Sequence, residues 1–258
     1  MTRRARAGIT AALLTAAVAL AAVAAAAECK PPLVVTPTVV GLEFCADPRL
    51  AATIAERVKK IREDVRAQRQ AGKLIAYAST PISPRGGGVT AVNLDIAAAV
   101  KARLEKEYGA AVWVLNPGRY QLPDVDGVKP GGGDYMVMWT EVLGGEDGTG
   151  RDFDMAHFTG PGDVRAFFGC GREDVSGCVA RHPAAQAITD AARRQAFVRY
   201  YALRASAAYS TGSHDEWNIF VRINRKRPIG EQVAVFFDGR PASPAEMETE
   251  IAPGYEVR

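Results

Sequence analysis

Apolar positions recur at helical spacing from Asp47 to Gln70, where Leu50, Ile54, Val58, Ile61 and Val65 share one face of a charged helix that Gly72 ends. A second helix starts at Thr90. It places Val92, Ile96, Val100 and Leu104 on one side and closes at Gly109. Between and beyond these lie short, nearly continuous apolar runs that read as buried strands: Lys73 to Ala78, Ala111 to Leu115, Phe153 to Phe158 and Gln232 to Phe237. Further helices are expected over Asp134 to Leu143, Asp163 to Phe168, Ala184 to Tyr209, and from Ser213 to about Asn224 after a break at Ser210 to Ser213. The Pro-rich stretch Lys30 to Glu43 reads as an extended lead-in, and residues beyond Gly239 as an extended tail. Strands of this kind alternating with helices predict βαβ units and a parallel sheet covered on both faces.

The first 27 residues follow a different pattern. Arg3, Arg4 and Arg6 precede a small-apolar run from Ile9 to Ala26, and Ala25-Ala26-Ala27 offers a cleavage site before Glu28 and Cys29. That order predicts a secretory signal peptide over residues 1–27, hence a secreted or periplasmic protein with no membrane segment after cleavage. A spanning anchor of similar length is the alternative; the alanine-rich run with a small-residue exit favours cleavage. The organisation expected is therefore a signal peptide (1–27), an N-terminal extension and helix (28–72), an α/β domain with an insertion near 170–209 (73–240) and an extended tail (241–258).

Charge and cysteines narrow the picture. The chain has 32 basic and 29 acidic residues, and losing the three signal arginines leaves 29 of each. With no basic block, a nucleic-acid polymer is not an expected partner. Nothing in the pattern sets an oligomeric state. Four cysteines in an oxidising compartment predict two disulfides; of three connectivities, the local pairs Cys29–Cys45 and Cys170–Cys178 are the expectation. These spacings fit no zinc pattern, His157, His182 and His214 show no i, i+4 pairing, and the glycine- and aspartate-rich run 147–152 lacks the donor order of a calcium loop, so no metal is expected.

In a parallel α/β sheet, ligands bind beyond the carboxyl ends of the strands. That rule selects the segments 79–88, 116–133, 159–163 and 210–216. The first, Ser79-Thr80-Pro81-Ile82-Ser83 through Gly86-Gly87-Gly88, allows close backbone approach to a ligand. The last, Ser210-Thr211-Gly212-Ser213-His214-Asp215-Glu216, has two readings. Ser213 can cap the helix with Glu216 at capping-box spacing. Alternatively, Glu216 presents a nucleophile or general base to a ligand held by 79–88, tuned by His214 and Asp215. Asp134 caps its helix or supplies a second carboxylate; Asp152 and Asp154 are lesser candidates. Tyr135, Met136, Met138, Trp139, Trp217 and Phe220 read first as core.

Strand, P-I-S loop, helix with Asn93, and a strand ending at Asn116-Pro117 together resemble the front half of the nucleoside 2-deoxyribosyltransferase-like superfamily, and Ser210 to Glu216 resembles its small-Gly-small-x-x-Glu helix start. The resemblance covers about half the mature chain, in pieces. It implies a flavodoxin-like parallel sheet of about four to five strands with flanking helices, to which this chain adds the N-terminal helix and disulfide-bracketed insertion. It implies Glu216 as the nucleophile, with Gly212 and Ser213 shaping its pocket. Tyr77, Ser79, Pro81 and Ser83 would line the first loop, and Asn93 and Asn116 would stand near the ligand; apart from the resemblance, Asp134 and Asn218 are candidates for the same cleft. The expected function is cleavage or transfer at an N-glycosidic bond of a nucleoside-like or nucleotide-like ligand, with no cofactor. A non-catalytic envelope protein holding a small polar ligand in the same cleft is the alternative.

Overall fold

The computed structural model describes residues 28–257; the expected signal peptide lies outside the described residues. A hairpin of β1 (Val34–Pro37) and β2 (Glu43–Ala46) leads into α1 (Ala51–Gln70). The βαβ units follow as β3 (Leu74–Ser79), α2 (Thr90–Tyr108), β4 (Val112–Leu115), α3 (Gly132–Gly144) and β5 (Met155–Phe158). The chain continues through α4 (Pro161–Phe168), α5 (Val175–Arg181), α6 (Pro183–Gln186), α7 (Ala191–Leu203) and α8 (Thr211–Lys226). It finishes with β6 (Ala234–Phe237), β7 (Arg240–Pro241) and α9 (Pro244–Glu248).

The central sheet has the order β4-β3-β5-β6-β7, with the first four strands parallel and β7 antiparallel at the edge. In chain order the parallel strands run 2-1-3-4, as in the flavodoxin-like fold. Side chains of β3 alternate between the two faces because the strand period is two. Ile75 and Tyr77 join the core formed with α1, α3 and α8, whereas Ala76 and Ala78 join the core formed with α2, α4 and α7. The connections from β3 and β4 leave in opposite directions across the sheet, so the switch point lies between the carboxyl ends of β3 and β5. There the hydroxyls of Thr80 and Thr159 pair at 2.7 Å.

Several expected elements differ. The lead-in is a paired hairpin, held to α3 where Gly133 lies against the Cys45 carbonyl; a Cβ there would stand 2.0 Å from that oxygen. The single helix expected over Ala184 to Tyr209 is broken. Asp190 caps α7 by accepting from the Arg193 amide at 2.7 Å, and a 3-10 turn at Ala207–Tyr209 precedes α8. Local capping chemistry thus overrides a hydrophobic period that runs through the break. The cysteine-bracketed segment contains α5 rather than only loop.

The tail is not free. After α9 it folds back along α8: Asn218 clasps Ile251 through both its amide atoms, the Val257 amide donates to the Glu43 carbonyl, and Glu256 bridges to Phe44. These contacts satisfy the backbone groups of a segment otherwise lacking a partner. Both expected disulfides are present, Cys29–Cys45 and Cys170–Cys178. Among the described residues no helix is long and apolar enough to cross a membrane.

Cys29–Cys45 closes a loop with a sequence separation of 16. Replacing both cysteines by alanine is expected to lower stability by about 3 kcal/mol, the loop-entropy value for that length. The denaturant midpoint at unchanged m-value checks this; a loss well under 1 kcal/mol would show that α3 alone secures the hairpin.

Candidate functional site

At the switch point lies a cavity of about 360 Å³, within the range of small-molecule sites. The loop after β3 supplies Thr80, Ile82, Ser83 and Arg85 to it, and α3 supplies Tyr135, Met136 and Trp139. The start of α8 adds Thr211, Gly212, Ser213 and Glu216, and the returning tail adds Tyr255. A larger cavity, about 530 Å³, lies between the β1–β2 hairpin and α1 and is lined by Lys59, Arg62, Arg66 and Glu141. We place the site at the smaller one, because it holds the sheet's carboxyl ends and a buried carboxyl group.

That group is Glu216. Ser210, not Ser213, caps α8: its hydroxyl oxygen accepts from the Ser213 amide at 3.3 Å. Glu216 therefore sits six positions past the cap, beyond the reach of a capping box, and the capping interpretation falls away. Its side chain turns instead onto the sheet. The Tyr77 hydroxyl donates to Oε1 at 2.5 Å, and the Ser79 hydroxyl donates to Oε2. Tyr77 and Ser79 share one face of β3 through the strand period, so two residues of one strand hold both carboxylate oxygens.

Glu216 is 7% exposed. Burial pushes its carboxyl up to about 7; the two hydroxyl donors pull it down, and the neighbouring Asp215 charge pushes it up again. Burial, reinforced by the Glu216 charge, raises the Tyr77 phenol well above its ordinary value, so Tyr77 stays a donor. A carboxylate fixed by two donors, poorly hydrated and open to a cavity, is suited to nucleophilic or general-base work near neutral pH.

The remaining expected site residues divide into four groups. Ser83, Gly212 and Ser213 line the cavity, while Tyr77 and Ser79 stand behind Glu216 and act through it. Asn93 shapes the loop from below: its amide donates to the carbonyls of Ile82 and Ser83, both at 3.1 Å, and its oxygen accepts from Tyr201. Pro81, Asn116, Asp134 and Asn218 lie outside the lining. Pro81 is buried, Asn116 caps the turn at Pro117 by accepting from Gly118, and Asn218 holds the tail. Asp134 accepts from the amides of Gly131 at 2.7 Å and Asp47 at 2.8 Å, so its carboxylate is committed to backbone and is no second acid for a ligand.

His214 and Asp215 do not face the ligand either. The ring nitrogens of His214 lie against the carbonyls of Ala252 and Ala208, and Asp215 accepts from the amides of Gly254 and Tyr255. Asp154 pairs with Arg69 and receives the Ile75 amide at the opposite end of β3. Sequence reasoning missed Arg85 and Tyr255. The signal for Tyr255 was indirect: Asp215 and Asn218 are buried polar residues on an apolar helix face, and such groups need partners.

No protein-family model, no curated protein and no solved structure matches this chain.

The folded Glu216 carboxyl binds its proton more tightly than the unfolded one, ordinarily near 4.5. Its contribution therefore favours folding at low pH and is lost as pH rises through the interval from the ordinary value to about 7. Relative to wild type, Glu216→Gln should gain about 3 kcal/mol between acidic and mildly alkaline pH. Denaturation of both proteins across that range tests it; a parallel pH dependence would contradict the burial of this carboxyl. Separately, Asp134→Ala should cost about 2 kcal/mol, because the buried Asp47 amide and the part-buried Gly131 amide lose a charged acceptor. It should leave ligand affinity at the cavity unchanged in titration calorimetry.

Proposed function

We propose that this chain is an exported enzyme acting at the N-glycosidic bond of a nucleoside-like or nucleotide-like ligand, with Glu216 forming or stabilising the glycosyl intermediate. The observation that carries this reading is the Glu216 carboxylate in the cavity at the sheet's switch point, held by Tyr77 and Ser79. Cleavage of a glycosidic bond develops positive charge at the anomeric carbon, and a fixed carboxylate beside that carbon stabilises it or bonds to it. Only the ionised form does so, and burial leaves that form fully populated only above about pH 7. The two disulfides agree with an oxidising compartment.

The test is release of free base from a panel of N-glycosides by the protein beginning at Glu28, followed by chromatography. Release is expected to rise with pH through neutrality and to fall to background in Glu216→Gln. Tyr77→Phe removes a donor that lowers the Glu216 pKa, so the midpoint of its rate profile should move to higher pH. Release that persists in Glu216→Gln would overturn the reading. Binding without turnover of any glycoside would leave the cavity as that of a ligand-holding envelope protein.

A further inference from the structure

The cavity of about 530 Å³ beside α1 has no part in the glycosidic reading. Its long wall is α1 itself, where Ala51, Ile54, Ala55, Val58, Arg62 and Arg66 recur at helical spacing and all line the space. At 1.5 Å per residue that stripe runs about 22 Å, so the cavity is a groove. The facing wall comes from Val137 and Glu141 of α3 and from the hairpin. There Thr36 pairs with Phe44 and so shares a face with Ala46.

The two ends of the groove differ in chemistry. From Pro48 to Val58 the floor is apolar, built on the buried side chains of Ile54, Val58 and Val137. Asp47 at that end is bound by the Arg49 guanidinium at 2.9 and 2.6 Å. The other end is cationic, with Lys59, Arg62 and Arg66 on one helix face. Arg62 is partly committed: its Nη2 donates to the carbonyls of Glu141 and Gly145 at 2.6 and 2.9 Å, closing the carboxyl end of α3. Its Nε is buried with no hydrogen-bond partner. Native structures seldom leave such a donor unmet, so an acceptor is missing at this end of the groove. Lys59 and Arg66 are exposed, and among the described residues the ion pairs of α1 are made by Lys60, Arg62 and Arg69 instead. Glu141 accepts from the Val39 amide at 3.0 Å and faces Arg62 at 3.7 Å. That leaves exposed Glu146 as the one uncommitted acid of the lining, against the two cations Lys59 and Arg66.

We propose that this groove binds a small amphiphile with a single anionic head. Its apolar chain lies along Ile54, Val58 and Val137, and its head lies between Lys59 and Arg66, over Arg62. The separation of the two ends carries the assignment. A bare anion would leave the apolar half unfilled, an uncharged chain would leave Lys59 and Arg66 unmatched, and a cationic head would meet like charge. The volume is that of a small-molecule site. Carboxylate and phosphate heads share this chemistry, and the site is independent of Glu216.

The test titrates the protein beginning at Glu28 with decanoate, decyl phosphate, decanol, decyltrimethylammonium and acetate by calorimetry, below the concentrations at which the chains aggregate. One decanoate or decyl phosphate should bind per chain, the tighter of the two naming the head. Both should bind at least about tenfold more tightly than decanol, the weight of a charged contact. Acetate and the ammonium should not register. Replacing Lys59 and Arg66 together by alanine should weaken both anions about tenfold and leave decanol unchanged. Glu146→Gln should tighten both. Ala55→Phe, made at an exposed position, should fill the apolar half and abolish binding at unchanged Tm. Glu216→Gln should leave decanoate affinity unchanged, which separates the groove from the switch-point cavity. Decanol binding as tightly as decanoate, or decanoate binding that survives Ala55→Phe, would overturn the proposal. Acetate binding as tightly as decanoate would overturn it too, marking an adventitious ion only, as would the absence of binding by either amphiphilic anion.

Discussion

The grip of one strand on one buried carboxylate organises this molecule. Tyr77 and Ser79, two positions apart on β3, reach through the sheet's face to both oxygens of Glu216 on α8. A carboxylate so deeply buried is costly unless hydrogen-bonded. The two donors reduce that cost without cancelling it, which is why the carboxyl remains raised to about 7. Around this contact Tyr77 also meets Trp139 of α3 and Phe220 of α8 at 5.6 and 6.0 Å, so the group that holds the carboxylate is fixed by the same aromatic core that docks both helices.

The doubly wound topology gives the contact its setting. The two faces of β3 serve separate cores, and α8 crosses the face bearing Tyr77 rather than the one bearing Ala76 and Ala78. A one-residue slip of β3 would turn both hydroxyls away. The register is pinned on both sides by parallel pairing with β4 and β5, and just beyond them by the Thr80–Thr159 hydroxyl pair. Precision at the site thus comes from the carboxyl-terminal half of a strand paired to neighbours through Tyr77 and Ser79.

The sequence made much of this legible. The four strands and the parallel sheet follow from apolar runs, the cysteines take the local one of three possible pairings, and Glu216 stands out at its helix start, whereas Tyr77 and Ser79, expected to line the first loop, instead hold the Glu216 carboxylate. What it obscured were the residues whose roles depend on contacts distant in the chain. Asp134 is legible as a helix-start residue after three glycines and does accept from the Gly131 amide, but nothing local announces its second partner, the Asp47 amide. Asn218 adjoins the site in sequence but serves Ile251. Tyr255 lies in a stretch with no periodicity at all. Its position is set by Asp215, and no local pattern announces a pairing forty residues long.

The returning tail makes one side of the crevice out of distant pieces of chain. Residues 256 and 257 add to the hairpin formed by residues 34–46, so the two extremities of the described chain are stitched edge to edge. Asp215 and Asn218 lie buried beneath that segment, which they hold through the amides of Ile251, Gly254 and Tyr255. The cavity wall that carries Tyr255 therefore leans on α8 and on the amino-terminal hairpin, and on no strand of the central sheet.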